Sequence, residues 1–198
     1  MPQLEGRVSG VLRAPEALRA AGLHERLDAS YAGTAAPPPY IADRDAVTGL
    51  RNVVGIAQYS LDLADALGPL LESDAFPLVL GGDCSILLGV ALALRRRGRY
   101  GLVYIDAHPD YLTVEQTQTG GVAGLPLAIV TGLGPDELTS LEHRRPYIDA
   151  HDAVSVASRD DYQIRASSSG ELRVEDSAIR AFPLDAIRRE SARAVAAS

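Results

Sequence analysis

The hydrophobic positions of this chain fall into two rhythms, one of helical spacing and one of short unbroken runs. Arg13 to Gly22 reads as a helix, with Pro15 in its first turn and Gly22 at its C-terminal break. From Asp45 to Leu71, the residues Val47, Leu50, Val54, Ile56, Leu61, Leu63 and Leu67 keep helical spacing. That predicts one long amphipathic helix with a break near Gly68-Pro69. Phe76 to Leu80 is a continuous apolar run that ends in Gly81-Gly82, and it reads as a strand buried on both faces. Ser85 to Arg96 is helical again, and the Arg95-Arg96-Arg97 run complements the negative end of its dipole. Tyr100 to Ile105 reads as a second buried strand, and Ala153 to Ala157 as a third. Ala123 to Thr131 starts a helix, and Leu184 to Ala197 forms the last one. Pro37-Pro38-Pro39 is a stiff spacer, and Arg165 to Glu175 is a polar loop. Strands alternating with helices predict an α/β domain with a largely parallel sheet.

Composition narrows the function classes. The chain has 198 residues and is 46% hydrophobic, which is enough for one domain with a substantial core. Its apolar runs are too short to span a bilayer, and the N-terminus lacks the apolar stretch of a secretory signal. A single cysteine, Cys84, excludes an intrachain disulfide framework and fits a reducing cytoplasm. A net charge of −7 argues against a general nucleic-acid surface. There is no lysine, so all 19 basic residues are arginine. That excludes a P-loop, whose lysine reaches the phosphates, and any Schiff-base enzyme.

Two segments carry candidate chemistry. Gly81-Gly82-Asp83-Cys84-Ser85 follows one apolar run, and Asp106-Ala107-His108-Pro109-Asp110 follows the next. In open α/β sheets, ligands gather beyond the carboxyl ends of strands, so both segments belong to one edge. If the backbone stays extended, period two turns Asp106, His108 and Asp110 to one side. Two carboxylates and an imidazole suit a divalent metal such as Mn²⁺, with Cys84 as a further donor. The alternative is a general acid/base pair of carboxylates. The metal reading is preferred because His108 sits between the two, and because uncompensated carboxylates are costly to hold together. The local alternatives are a helix-capping aspartate and a cysteine that serves as a small hydrophobe. His24, His143 and His151 read as surface residues.

Together these segments resemble the ureohydrolase superfamily of arginase, agmatinase and formiminoglutamase. Ala14 to Leu23 is similar to the family's first helix, and Thr119 to Ala128 to its substrate loop. Val154 to Arg159 is similar to a later strand of the family. The resemblance implies a three-layer α/β/α fold and two Mn²⁺ ions whose bound hydroxide attacks the carbon of an amidine or guanidinium group. It implies Asp106, His108 and Asp110 as metal ligands, with Cys84 standing where most members have histidine. It also implies a small-molecule substrate and a homo-oligomer, with neither nucleic acid nor membrane as partner.

The departures shape the expectation. Gly121 and Ala123 replace an asparagine and a histidine of the arginase loop, and Leu112 replaces a polar residue. The usual contacts to the α-amino and carboxylate groups are thereby lost, which points away from arginine itself. Thr119 is the loop hydroxyl left to meet a substrate. The family's Asp-x-Asp strand has no match before Ser198, and its first strand has none before Gly6. The expectation is therefore a partial ureohydrolase-like domain over residues 1–198, incomplete at both ends. The reading is a metal-dependent hydrolase of a linear amidine or guanidino compound, with no catalytic residue assigned. The alternative is a non-catalytic family member that acts as a structural or partner subunit. A deacetylase-like zinc site is set aside, because the Gly81 to Ser85 segment has no place in it.

Overall fold

A computed structural model describes residues 10–159, 174 and 177–189. The first α-helix among the described residues is α1 (Ala14–Ala20), which carries Pro15 in its first turn as the sequence predicts. Helix α2 (Leu23–Leu27) follows at once, entered through Gly22 at φ +82°. The long helix α3 spans Val53–Glu72. It starts eight residues later than the hydrophobic spacing indicates. Asp45 accepts hydrogen bonds from the Val47 and Thr48 amides and the Thr48 hydroxyl at 3.1, 2.7 and 2.9 Å, which closes a turn instead. Gly49 and Asn52 then adopt left-handed backbone at φ +70° and +56°. Val47 is exposed, while Leu50 is fully buried from the turn. The expected break at Gly68-Pro69 does not occur, and α3 continues through Pro69 into its last turn.

Helix α4 (Leu87–Arg97) crosses α3, and their contact sets the centre of the core. Leu63, Ala64 and Leu67 of α3 meet Leu88, Ala91 and Leu92 of α4 in one buried cluster. Gly89 makes the approach possible. A Cβ there would lie 2.9 Å from Leu63 Cβ and from the Ser60 carbonyl oxygen. Helices α5 (Pro126–Val130) and α6 (Asp136–Thr139) complete this layer, and every residue of α5 is buried. Tyr147 ties the layer together inside, since its hydroxyl donates to the Leu138 carbonyl at 2.7 Å and accepts from the Leu141 amide at 2.9 Å.

The sheet contains β1 (Leu102–Ile105), β2 (Ala153–Val156) and β3 (Arg180–Phe182), all parallel, in the order β1-β2-β3. The α/β class with a parallel sheet is as expected. The three residues of β3 carry too little pattern to be read from the sequence. Two strand readings are corrected. Phe76 to Leu80 is not a strand; it joins no ladder among the described residues, and Phe76 is 93% exposed. An apolar run forms a strand only beside a partner edge. β1 is buried on one face rather than two: Leu102 and Tyr104 pack on the core, while Val103 and Ile105 are 65% and 72% exposed. The register continues the open face into β2 and β3, with Val103, Val154 and Arg180 in one row and Ile105, Val156 and Phe182 in the next. Of the predicted last helix, 184–189 is helical and the rest lies outside the described residues, as does most of the Arg165 to Glu175 loop. No helix among the described residues is long and apolar enough to cross a membrane.

Gly89 supplies a direct test of the helix crossing. Replacing it with alanine drives the new methyl into the Ser60 backbone, so G89A is expected to lose about 1–3 kcal/mol. A shift of the urea-unfolding midpoint to lower concentration at unchanged slope would show this. An unchanged midpoint would mean that α3 and α4 are not packed this closely.

Candidate metal centre

Three of the four predicted donors converge. One ligand atom each from Cys84, Asp106 and Asp110 lies within 4.8 Å of the other two. Each is delivered by local backbone chemistry. Asp83 is extended, and its Oδ1 accepts from the Ser85 amide at 3.0 Å and from the Ser85 hydroxyl. That caps the tight turn Cys84–Ile86, which leads into α4 and presents the Cys84 thiol. Gly81 leaves room for Ile86, since a Cβ would sit 2.2 Å from Ile86 Cδ1 and that side chain would have to shift.

Asp106 stands one residue beyond β1 and extends the ladder, its amide donating to the Val156 carbonyl at 3.2 Å. Its carboxylate faces two ways. Oδ1 accepts from the His108 amide at 2.9 Å, and Oδ2 lies 3.8 Å from Cys84 Sγ. The chain does not stay extended beyond it. Asp110 has left-handed backbone, φ +46°, and its carbonyl accepts from the Leu127 amide of α5 at 3.1 Å. Asp106 and Asp110 therefore meet through a turn, not through the period-two alternation of an extended chain. The same turn leaves the His108 side chain 59% exposed, with Nδ1 3.8 Å from Asp106 Oδ1. His108 sits at the rim of the cluster rather than inside it.

The buried carboxylate dominates the electrostatics. Asp110 is 4% exposed, and burial pushes its carboxyl above the usual range. The Tyr104 hydroxyl opposes this by donating to Asp110 Oδ2 at 2.5 Å. Burial, and then the Asp110 charge, push the Cys84 thiol up to about 12. Tyr104 was not singled out from the sequence. Its place on the core face of β1, in step with Leu102, was the available signal.

A small cleft beside the cluster is lined by Tyr40, Arg51, Asp83, Ser85, Gly121 and Ala123. Arg51 and Arg44, both within or next to the segment misread as helix, fasten its outer wall. Arg51 Nε donates to the Thr119 carbonyl at 2.8 Å, its amide donates to the Gly120 carbonyl at 2.7 Å, and its Nη1 donates to the Ala42 carbonyl. Arg44 Nη2 donates to the Gln118 carbonyl at 2.7 Å. Thr119 is exposed, and its hydroxyl oxygen accepts from the Gly121 amide at 3.1 Å, which leaves the hydroxyl proton to donate. Leu112 packs on Gly124. His143 and His151 are exposed, and His24 is half-buried edge-on against Tyr31.

The donors fit a divalent ion. Two carboxylates and a thiol share a small volume, one carboxylate is nearly enclosed, and no arginine among the described residues pairs with Asp106 or Asp110. A cation is the group such a cluster lacks.

The profile of the arginase family matches residues 5–198. Arginase of Bacillus subtilis strain 168 is 34% identical over 155 residues, which is 76% of this chain and 52% of that protein. The native arginase structure from Bacillus caldovelox aligns with a TM-score of 0.79 at 28% identity, covering 92% of this chain and 62% of that one. Entamoeba histolytica arginase in complex with L-ornithine aligns at 0.72 and 28% identity, covering 98% and 66%. The chain spans about half the length of the curated relatives it matches.

The raised Asp110 carboxyl has a pH signature in metal-free protein. A group whose folded pKa is raised stabilises most below its unfolded pKa, and that contribution is lost as pH rises toward the folded value. Wild type should therefore lose stability relative to D110N as pH rises from the ordinary aspartate range, near 3.8, toward neutrality. Paired urea melts at several pH values with a chelator present would measure this. A pH-independent difference would show that Asp110 is not held in a desolvated site.

Proposed function

This chain belongs to the arginase family, and on that premise we propose that it hydrolyses a C–N bond of a linear amidine or guanidino compound at the Cys84, Asp106 and Asp110 cluster. The observation that carries the proposal is the convergence of these three donors around one buried carboxylate. Cys84, Asp106 and Asp110 would hold the metal, with His108 close enough to Asp106 to join from the rim. Mn²⁺ is the ion that the family resemblance implies. When bound, divalent ions in such a site lower the pKa of water and offset charge that develops on the substrate.

The chain's own groups set the rest. The Tyr104 hydroxyl and the His108 amide orient the two carboxylates, so the donors are held before anything binds. Gly121 and Ala123 line the cleft without charge, and Thr119, whose carbonyl Arg51 holds, offers a hydroxyl on the adjoining loop. Arg51 is the cationic side chain of the cleft lining. The uncharged Gly121 and Ala123, standing where the resemblance implies an asparagine and a histidine, support a guanidino substrate other than arginine. Cytoplasmic residence and self-association are part of the same proposal, the first supported by a lone free cysteine.

A second reading is a non-catalytic metal-binding relative. The outward His108 ring favours it.

Metal content and urea release separate these readings. After loading with Mn²⁺ and desalting, the chain is expected to retain metal in stoichiometric amount, and D110A to lose it. Urea release from a panel of guanidino acids and simple guanidines should follow the metal. Retained metal without urea from any compound would favour the second reading. No retained metal would overturn both.

A further inference from the structure

The sulfur in the cluster has a consequence for which ion the site takes. Cys84 is the residue whose turn the Asp83 cap fixes, and its Sγ points at Asp106 Oδ2 from 3.8 Å. The same sulfur lies within 4.8 Å of a ligand oxygen of Asp110, which is 4% exposed. The thiol therefore shares one pocket with both carboxylates. We propose that Cys84 is a direct metal ligand and makes this centre selective for a thiophilic divalent ion, Zn²⁺ or Co²⁺, over Mn²⁺. The proposal rests on the metal-site reading above and deepens it by naming the ion.

Two observations carry it. The first is donor chemistry. Affinity rises from Mn²⁺ through Co²⁺ toward Zn²⁺ for a given site, and a soft thiolate widens that spread, whereas carboxylates alone suit the hard Mn²⁺. The second is placement. Cys84 Sγ converges with both carboxylates, while the His108 ring stands at the rim at 59% exposure, so sulfur is the soft donor among the three groups that meet. On binding, the Cys84 S–H bond is exchanged for a sulfur–metal bond, and the proton passes to the buffer.

Cobalt reads the sulfur directly. The full chain, kept reduced with a non-chelating phosphine, is stripped of metal, loaded with Co²⁺ and desalted. The expected result is retained cobalt with a thiolate-to-cobalt charge-transfer band in the near ultraviolet. C84S should lose the band while circular dichroism shows an intact fold. C84H should retain cobalt without the band. In competition, Zn²⁺ should displace Mn²⁺ from wild type, and that preference should fall by about tenfold or more in C84S. Cobalt retained by wild type with no charge-transfer band, or equal preference for Zn²⁺ and Mn²⁺ in wild type and C84S, would overturn the ligand role and leave the metal site standing. Failure of Co²⁺, Zn²⁺ and Mn²⁺ alike to bind wild type would overturn the metal-site reading itself.

Discussion

The structure turns on a carboxylate held almost out of water. Asp110 is 4% exposed, close to a second carboxylate, and the groups that donate hydrogen bonds to it are the Tyr104 hydroxyl and the Cys84 thiol rather than a cation. Enclosing a charge this way is unfavourable unless something neutralises it. The fold tolerates the arrangement because several elements fix Asp110 through other bonds. Its carbonyl binds the start of α5, its backbone takes the left-handed turn, and Tyr104 reaches it from the core face of β1. The site is thus assembled by the packing of helix and strand, and a bound divalent ion would relieve the charge that packing has imposed.

The helical layer holds this geometry in place. Gly89 lets α3 and α4 approach closely, and α4 begins at the turn that carries Cys84. α5 is buried throughout and anchors Asp110. A change at the α3–α4 crossing would therefore reach the Cys84 side of the cluster, and a change in α5 would reach the Asp110 side. The outer cleft wall has a separate support. Arg44 and Arg51 hold the 118–121 loop by its carbonyls, so loop position depends on a turn near residue 50 rather than on the sheet.

Much of this was legible because its chemistry is local. Asp83 before Ser85 is a capping pattern, and an aspartate just past an apolar run marks a strand end. The strand end at Asp106 was read from the sequence, a capping aspartate only as an unlocated alternative, and both lie where the cluster forms. The α/β order was legible for the same reason. What failed depended on partners. Val47 and Leu50 fit a helix by spacing, yet the side-chain bonds of Asp45 and the left-handed Gly49 and Asn52 took that stretch. The run from Phe76 to Leu80 has the residues of a strand, but pairing cannot be read from one segment. The placement of His108 depended on a turn at Asp110 that period-two reasoning excludes. Tyr104 looked like core because an aromatic residue in an apolar run gives no sign that its hydroxyl has a partner.

The two faces of β1 separate the site from the open surface. Tyr104 faces the helices and holds Asp110, while Val103 and Ile105, its neighbours in sequence, face outward in rows shared with β2 and β3. Because side chains alternate along a strand, the residues that orient the cluster and those that leave apolar surface exposed belong to opposite faces. Cys84 and Asp110 owe their positions to contacts with Ser85, Leu127 and Tyr104, none of which lies on the open face. Whatever packs against Val103 and Ile105 would add to stability by burying them, at about 25 cal/mol per Å² of apolar surface covered. It would not need to supply the geometry of the Cys84, Asp106 and Asp110 cluster, which the helical layer and the turns at Asp83 and Asp110 already define.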